Sequence, residues 1–324
     1  MSEYENFIKR SDLIKNLVDR KNLAEQTKKP NRTIQEANRQ RWLQYQEIQR
    51  MSLTAKIAAA NASGGTSVDV DAQAFITAAA ITDATQQSAI DTLVTGLKTD
   101  GIWTKMKAIY PFVGGTATTH KFNLKDPRDL DAAFRLTFSG GWTHSSTGVL
   151  PNGTNAFADT KFKPSTNGLS YNNNHISFYS RTTAANGATG FYDLGSGNDQ
   201  ATDSLSLWSR RSTDTAGYDS AGFPANRISF ANSDGKGFYL GTSPNTTGKF
   251  FKNGISQGSL TLTNQAITNA NTYIGAFLNS TSLAVYYSLK EQAFASLGNG
   301  LTDTDAANLY TRVQAFQTTL NRQV

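Results

Sequence analysis

Carboxylates are the first place to look for chemistry in this chain. Glycoside hydrolysis needs two of them flanking one bond, one protonated and one ionised. After Glu47 the chain holds a single glutamate, Glu291, so the paired strand signature E-x-D-x-x-E cannot be assembled. Asp126, Asp129 and Asp131 offer an aspartate alternative, but Lys125-Asp-Pro-Arg-Asp-Leu-Asp reads as a turn with an Asp-Pro break. Serines are many, but the G-x-S-x-G match, Gly254-Ile-Ser-Gln-Gly258, begins in the Asn253-Gly254 turn between two strand patterns and does not read as a strand-to-helix nucleophile elbow. His120, His144 and His175 are far apart on strand or turn stretches, which predicts structural hydrogen bonding rather than general-base or metal work. Ser139-Gly-Gly-Trp-Thr-His-Ser-Ser-Thr-Gly lacks the Gly-Lys-Ser/Thr ending of a phosphate loop. With no cysteine, neither a disulfide framework nor a thiolate metal site can form. The expectation is a protein that is not an enzyme.

The elements around these residues are mostly short strands. Asn253-Gly254 is the strongest turn signal, because a two-residue type I′ turn needs φ > 0 at both central positions. Phe250 and Phe251 precede it, and Ile255, Leu260 and Leu262 follow. Arg227-Ile-Ser-Phe-Ala and Phe238-Tyr-Leu-Gly form a second strand–turn–strand, with Tyr273-Ile-Gly-Ala-Phe and Leu283-Ala-Val-Tyr-Tyr beyond. Upstream, Lys121-Phe-Asn-Leu, Arg135-Leu-Thr-Phe, Ala156-Phe-Ala-Asp, His175-Ile-Ser-Phe-Tyr-Ser and Ser204-Leu-Ser-Leu-Trp read as strands, with a looser Gly/Ser/Asp region over 183–204. Near-regular short strands predict an antiparallel sandwich or jelly roll. Thr302 is placed to cap a closing helix with Asp305, its apolar face running from Ala306 through Leu309, Val313 and Phe316.

The first third differs in texture. Of the net charge of +6, residues 1–60 supply 12 basic against 7 acidic groups. This basic, helix-permissive segment carries Leu13, Leu17, Trp42, Leu43 and Ile48, too few for a core and too many for a purely solvating tail. We expect an attachment arm whose apolar residues dock on another protein. Sparse Arg/Lys runs argue against nucleic acid. The polar start, Met1-Ser-Glu-Tyr-Glu-Asn, does not read as a secretory signal, which suggests a cytoplasmic beginning. No apolar run of about 18 residues suggests a membrane span. Residues 61–70 read as a linker and 71–111 as a small helical unit, with Asp71 capping a helix through Phe75 and Ile76 and Thr82-Asp83 capping another through Ile90, Leu93 and Leu97. Gly101 ends the latter, and Trp103, Met106, Ile109 and Tyr110 continue its apolar face to Pro111. Residues 112–324 are the β domain with its C-terminal helix.

The block from Val113 to Val324 resembles a laminin-G-like, concanavalin A-like jelly roll, on Phe178-Tyr-Ser, Phe251-Lys-Asn-Gly, Tyr273-Ile-Gly-Ala and Gly300-Leu-Thr-Asp-Thr-Asp-Ala-Ala-Asn-Leu-Tyr. More narrowly, residues 66–324 resemble virion-associated proteins of tailed bacteriophages of the crAss-like and Bacteroidetes type. Ala79-Ala-Ile-Thr-Asp-Ala-Thr-Gln-Gln-Ser-Ala-Ile, the stretch from Met106 to Pro127, and Trp142-Thr-His-Ser-Ser-Thr-Gly with Leu150-Pro-Asn-Gly-Thr-Asn carry that likeness. It implies a structural protein of a phage virion, assembled in the bacterial cytoplasm. Its arm would anchor to capsid or tail, within a homo-oligomer, and its lectin-like head would be displayed as fibre, decoration or adhesin. Jelly rolls of this type also hold sugars or Ca²⁺ at loop ends. Asp159, Asp193, Asn198, Asp199 and Trp208 are of the right type, although turn residues plus one core tryptophan is the weightier reading of them. The alternative function is therefore a carbohydrate-binding module recognising a host glycan.

Overall fold

A computed structural model describes residues 12, 15–17, 19–21, 67–185, 192–197, 203–279 and 283–324. The chain divides into two compact units, Met1–Val68 and Asp69–Val324. In the first, the described residues between 12 and 21 are helical, and Leu17 is exposed. Leu13, Trp42, Leu43 and Ile48 lie outside the described residues.

The second unit opens with helices α1 (Val70–Ala78) and α2 (Ala84–Thr99). Asp69 caps α1, not Asp71; Asp71 sits in the first turn, and both carboxylates hold Lys98 at 2.6 Å. Of the expected pair Thr82-Asp83, Asp83 caps α2, and Gly101 follows its end at φ +71°. The apolar face does not run on as helix. Trp103–Lys105 is one 3₁₀ turn, and β1 (Met106–Tyr110) pairs with the last strand of the chain. The spacing Met106, Ala108, Tyr110 obeys a period of two, which points Ala108 and Tyr110 into the core.

Lys121-Phe-Asn-Leu is not a strand either. The short helix α3 (Ala117–His120) is stopped by a turn that Asn123 organises, accepting from Ile109 N and Lys125 N and donating to Ala133 O. Next come β2 (Thr137–Ser139), β3 (Trp142–Ser145), β4 (Gly148–Pro151), β5 (Phe157–Asp159) and β6 (Asn174–Ser180). Then follow β7 (Leu194–Ser196), β8 (Leu205–Trp208), β9 (Thr215–Ser220), β10 (Arg227–Ala231), β11 (Gly237–Ser243), β12 (Thr247–Lys252) and β13 (Ile255–Thr261). The last strands are β14 (Tyr273–Ile274), β15 (Phe277–Leu278), β16 (Ala284–Val285) and β17 (Gln292–Gly298), before helix α4 (Asp303–Thr319). β7 lies inside the stretch read as loose loop. Tyr273–Phe277 is two strands, broken at Gly275, whose φ of +81° leaves room for Trp142.

The strands form two sheets in a sandwich, so the protein is mainly β. One sheet runs β13-β12-β11-β6-β17-β4-β3 with β1 beside β17; the other runs β10-β9-β8-β7-β14-β5-β2. Among the described residues all strand pairings are antiparallel except β15 on β7. Phe178, Tyr239, Phe250, Leu194, Leu207 and Tyr218 are among the side chains packed between the sheets. β6, β11 and β17 are buried along their whole length because helices cover the outer face of this sheet. Tyr310 of α4 stacks on Phe238, and Arg312 forks onto Asp100 at 2.8 and 3.0 Å, tying α4 to the end of α2. Thr302 and Asp305 form the expected capping box of α4.

Candidate functional site

In the second sheet, charged and aromatic side chains from successive strands meet at Trp208. The indole is only 1 % exposed. Across the β8–β9 ladder Trp208 faces Gly217, and the ring occupies the space that a Cβ there would need. The Arg211 guanidinium lies 3.7 Å from the indole centroid and 4.9 Å from the Tyr192 ring. Arg227, which opens β10, lies 4.7 Å from the indole and 3.7 Å from the ring of Phe223. Directly across from Arg227 is Asp219, and the guanidinium forks onto its carboxylate at 2.6 and 2.7 Å. Tyr192 meets the indole edge-on at 5.5 Å and packs on Phe277.

The electrostatics follow from burial and pairing. Burial lowers the Arg211 pKa from its usual value. For Arg227 burial acts the same way, but the hydrogen bonds and charge of Asp219 outweigh it and raise the pKa. Burial first, then Asp219, pushes the Tyr192 phenol up. Asp219 is fully buried and also accepts from Ser206 Oγ at 2.9 Å. The indole Nε1–H of Trp208 is buried with no hydrogen-bond partner among the described residues. Guanidinium and indole groups only donate, and Asp219 supplies the acceptors for Arg227. Phe223, 37 % exposed, and the partly exposed Arg227 form its outer rim.

The fold brings two of the three histidines together, contrary to their separation in sequence. His120 and His144 approach Nδ1 to Nδ1 at 3.0 Å. Gly115 N–H donates to His120 Nε2, so the His120 proton sits on Nδ1 and points at the lone pair of His144 Nδ1. Burial, reinforced by His144 and Arg322, drives the His120 pKa down to about 3. Burial also lowers that of His144. His175 is fully buried, with Nδ1 2.6 Å from Asn299 O and Nε2 3.2 Å from Ser296 Oγ, and burial takes it to about 4.

The residues expected from sequence to bind a ligand are placed differently. Asp159 ends β5 and holds Lys161 Nζ at 2.8 Å, Lys161 N and Asn271. Asp193 is fully buried and accepts from Ser209 N, Ser209 Oγ and Ser288 Oγ. Trp208 is inside the protein and cannot serve as an exposed platform. Asn198 and Asp199 lie outside the described residues. Among the described residues no group of three or more His, Asp or Glu side chains is placed to hold a metal ion. The acids considered for catalysis are in ion pairs: Glu291 with Arg181, Asp126 with Arg128, Asp129 with Lys121 and Arg135, and Asp131 with Arg135.

Arg211, Arg227, Asp219, Tyr192 and Phe223 escape sequence reasoning because cross-strand register, not spacing, assembles them. Gly217, a glycine within a strand, is the one local signal, since such a residue marks the close approach of something large.

No known family and no curated protein matches the sequence. Among solved structures, the chain is similar to domain 4 of an extracellular GH43 arabinanase from Geobacillus stearothermophilus, in complex with arabinotriose. There the identity is 15 % and the TM-score 0.43, over 63 % of this chain and 98 % of that one. It is also similar to the binding domain of botulinum neurotoxin serotype D, at 8 % identity and TM-score 0.43, over 65 % of this chain and 52 % of that one. A third is a sialidase from Streptococcus pneumoniae, at 18 % identity and TM-score 0.38, over 52 % of this chain and only 27 % of that one.

Proposed function

We propose that residues 69–324 are a non-catalytic recognition module for saccharides, with the Trp208 cluster as its site. One observation carries this reading: at the outer rim of the cluster the exposed ring of Phe223 lies beside the partly exposed Arg227 guanidinium, 3.7 Å from it, a pairing of apolar face and hydrogen-bond donor that suits a sugar. Catalysis is not part of the reading, because the candidate carboxylates are held in ion pairs. Titration of the full chain against a panel of plant, animal and bacterial-surface glycans tests it. Saturable binding that Phe223→Ala weakens is the expected result, and absence of binding to every glycan defeats it.

A second reading concerns where the module works. Residues 1–68 form a unit of their own, and Leu17 presents an exposed apolar side chain on helical residues of that unit. This supports an arm that docks on another protein; on the resemblance of residues 66–324 to virion-associated phage proteins, that partner would be capsid or tail, and the module would be carried, as a homo-oligomer, on a phage virion. Full-length protein should be incorporated into particles in infected cells and a form lacking 1–68 should not. Equal incorporation of both on an immunoblot of purified virions would refute the anchor.

A further inference from the structure

We propose that Lys252 and Asn232 join in an intramolecular isopeptide bond that ties the two sheets of the sandwich together. Lys252 is the last residue of β12 in the first sheet, and Asn232 follows β10, the edge strand of the second. The lysine Nζ lies 2.7 Å from Asn232 Oδ1 and 2.8 Å from Asp234 O, so it meets two amide oxygens rather than a carboxylate. Asn232 is buried, and its carboxamide is fixed. Its Nδ2 donates to Ser209 O at 2.5 Å and to the Tyr239 hydroxyl at 2.8 Å. Ser209 O can only accept and an ammonium can only donate, so the carboxamide turns its carbonyl towards Nζ. Tyr239 stands directly across the β11–β12 ladder from Lys252, with its hydroxyl against the nitrogen that would leave.

The chemistry is an amide exchange that needs no co-reactant. Lys252 enters as the neutral amine, its ammonium proton released to solvent. Nζ then bonds to Cγ of Asn232, the Cγ–Nδ2 bond breaks, and one proton passes from Nζ to Nδ2, which leaves as ammonia. Burial lowers the Lys252 pKa, against the pull of Asp234, and so eases the first loss. Burial raises the Tyr239 pKa, so its phenol keeps a proton to hand to Nδ2 and takes one back from Nζ. The fold holds amine and amide in contact, which gives the exchange a high effective concentration. The chain has no cysteine, so a covalent tie between its sheets has to use side chains of this kind.

Intact mass and peptide mapping of the full chain test the bond. After incubation at neutral pH the protein should be lighter than its sequence by one ammonia. Trypsin should no longer cut after Lys252, and tandem spectra should show a branched peptide joining Lys252 to Asn232. Lys252→Arg and Asn232→Ala should keep the full mass of their sequences. Tyr239→Phe keeps the ring and should slow the ammonia loss about a hundredfold or more, a rate that a merely structural role would not move in protein that melts like the wild type. An Asn-Gly pair such as Asn253-Gly254 also loses ammonia when it closes to a succinimide. Hydroxylamine cleaves the chain at a succinimide and leaves an isopeptide intact. Mass loss that hydroxylamine converts to cleavage, with no branched peptide, would therefore overturn the inference. Folded wild-type protein that retains its full mass would overturn it too, as would a branched peptide that uses another residue in place of either partner. The wild-type peptide map decides the matter if a variant does not fold.

Discussion

Gly217 faces Trp208 across the β8–β9 ladder, and a Cβ built on Gly217 would stand 2.0 Å from the indole ring. Real Cβ atoms do not approach so closely, so the glycine and the orientation of the indole are one feature. The ring cannot retreat easily: Arg211 lies over it, and Tyr192 meets it edge-on. Gly217→Ala should therefore cost about 1–3 kcal/mol through overpacking. It should also weaken ligand binding, because the indole must turn. An unchanged urea midpoint would show that the ring has room to move.

Acid should destabilise the protein well above the carboxylate range. His120 and His175 have folded pKa values of about 3 and about 4, against 6.5 for an ordinary histidine. Both are neutral inside the fold and take up a proton on unfolding once the pH is below 6.5. The unfolded state then binds more protons, so stability is full above pH 6.5 and is lost as the pH falls towards the folded values. Each histidine contributes a slope of at most about 1.4 kcal/mol per pH unit. Around His120 stand His144 and Arg322; around His175 stand Asp305 and Lys105. The lowered carboxylates Asp100, Asp129 and Asp305 act later, below their ordinary pKa of 3.8. Urea unfolding between pH 7.5 and 4.5 should show the loss, and His120→Gln should flatten it. Equal stability at both ends of that range would mean that the imidazoles are hydrated.

Features whose cause is local were legible in the sequence. The Asn253-Gly254 turn and the Thr302–Asp305 capping box each depend on residues within a few positions of one another, and both are present. Where the cause is distant, reading failed. Met106–Tyr110 is apolar enough for either period, and its pairing with β17, far along the chain, makes it a strand. β7 is three residues long and includes a glycine, so it owes its extended form to β8 and β14 rather than to its own propensity. The Trp208 cluster is the extreme case. Arg227 is the first residue of a strand recognised from its pattern, yet only the register of β10 on β9 puts it opposite Asp219.

The turn also has a tertiary role that local signals do not show. Asn253 and Gly254 have φ of +50° and +75°, and a Cβ on Gly254 would come 2.7 Å from Tyr310 Cδ1 of α4. Gly254→Val combines a strained backbone with a clash against the helix and should cost about 1–3 kcal/mol. Gly254→Asn tolerates the backbone but not the clash, so it should cost less. Pairing either change with Tyr310→Ala should recover the clash component alone. A melting temperature unmoved by Gly254→Val would rule out this turn geometry.

The C-terminus is fastened by a buried cation. Arg322 is fully buried, and no carboxylate among the described residues is hydrogen-bonded to it. Its Nε donates to Gln317 Oε1 at 2.7 Å, Nη1 to Phe112 O at 2.8 Å, and Nη2 to Pro111 O at 2.7 Å and Ala293 O at 2.9 Å. Burial and the nearby Arg181 lower its pKa to about 9, so it remains charged at neutral pH. These contacts join the segment after β1, the start of β17 and the end of α4, while Arg181 Nε and the Tyr179 hydroxyl grip the backbone of residues 322–324. Arg322→Ala would leave several buried acceptors empty and should cost about 3–5 kcal/mol, the range for breaking a buried charged network. Arg322→Lys keeps the charge, but a single ammonium has three donors on a point and cannot span the same fork. It should recover only part of the loss. Urea denaturation of the three proteins measures the order directly. Wild-type stability in Arg322→Ala would mean that the C-terminal segment is not part of the cooperative fold.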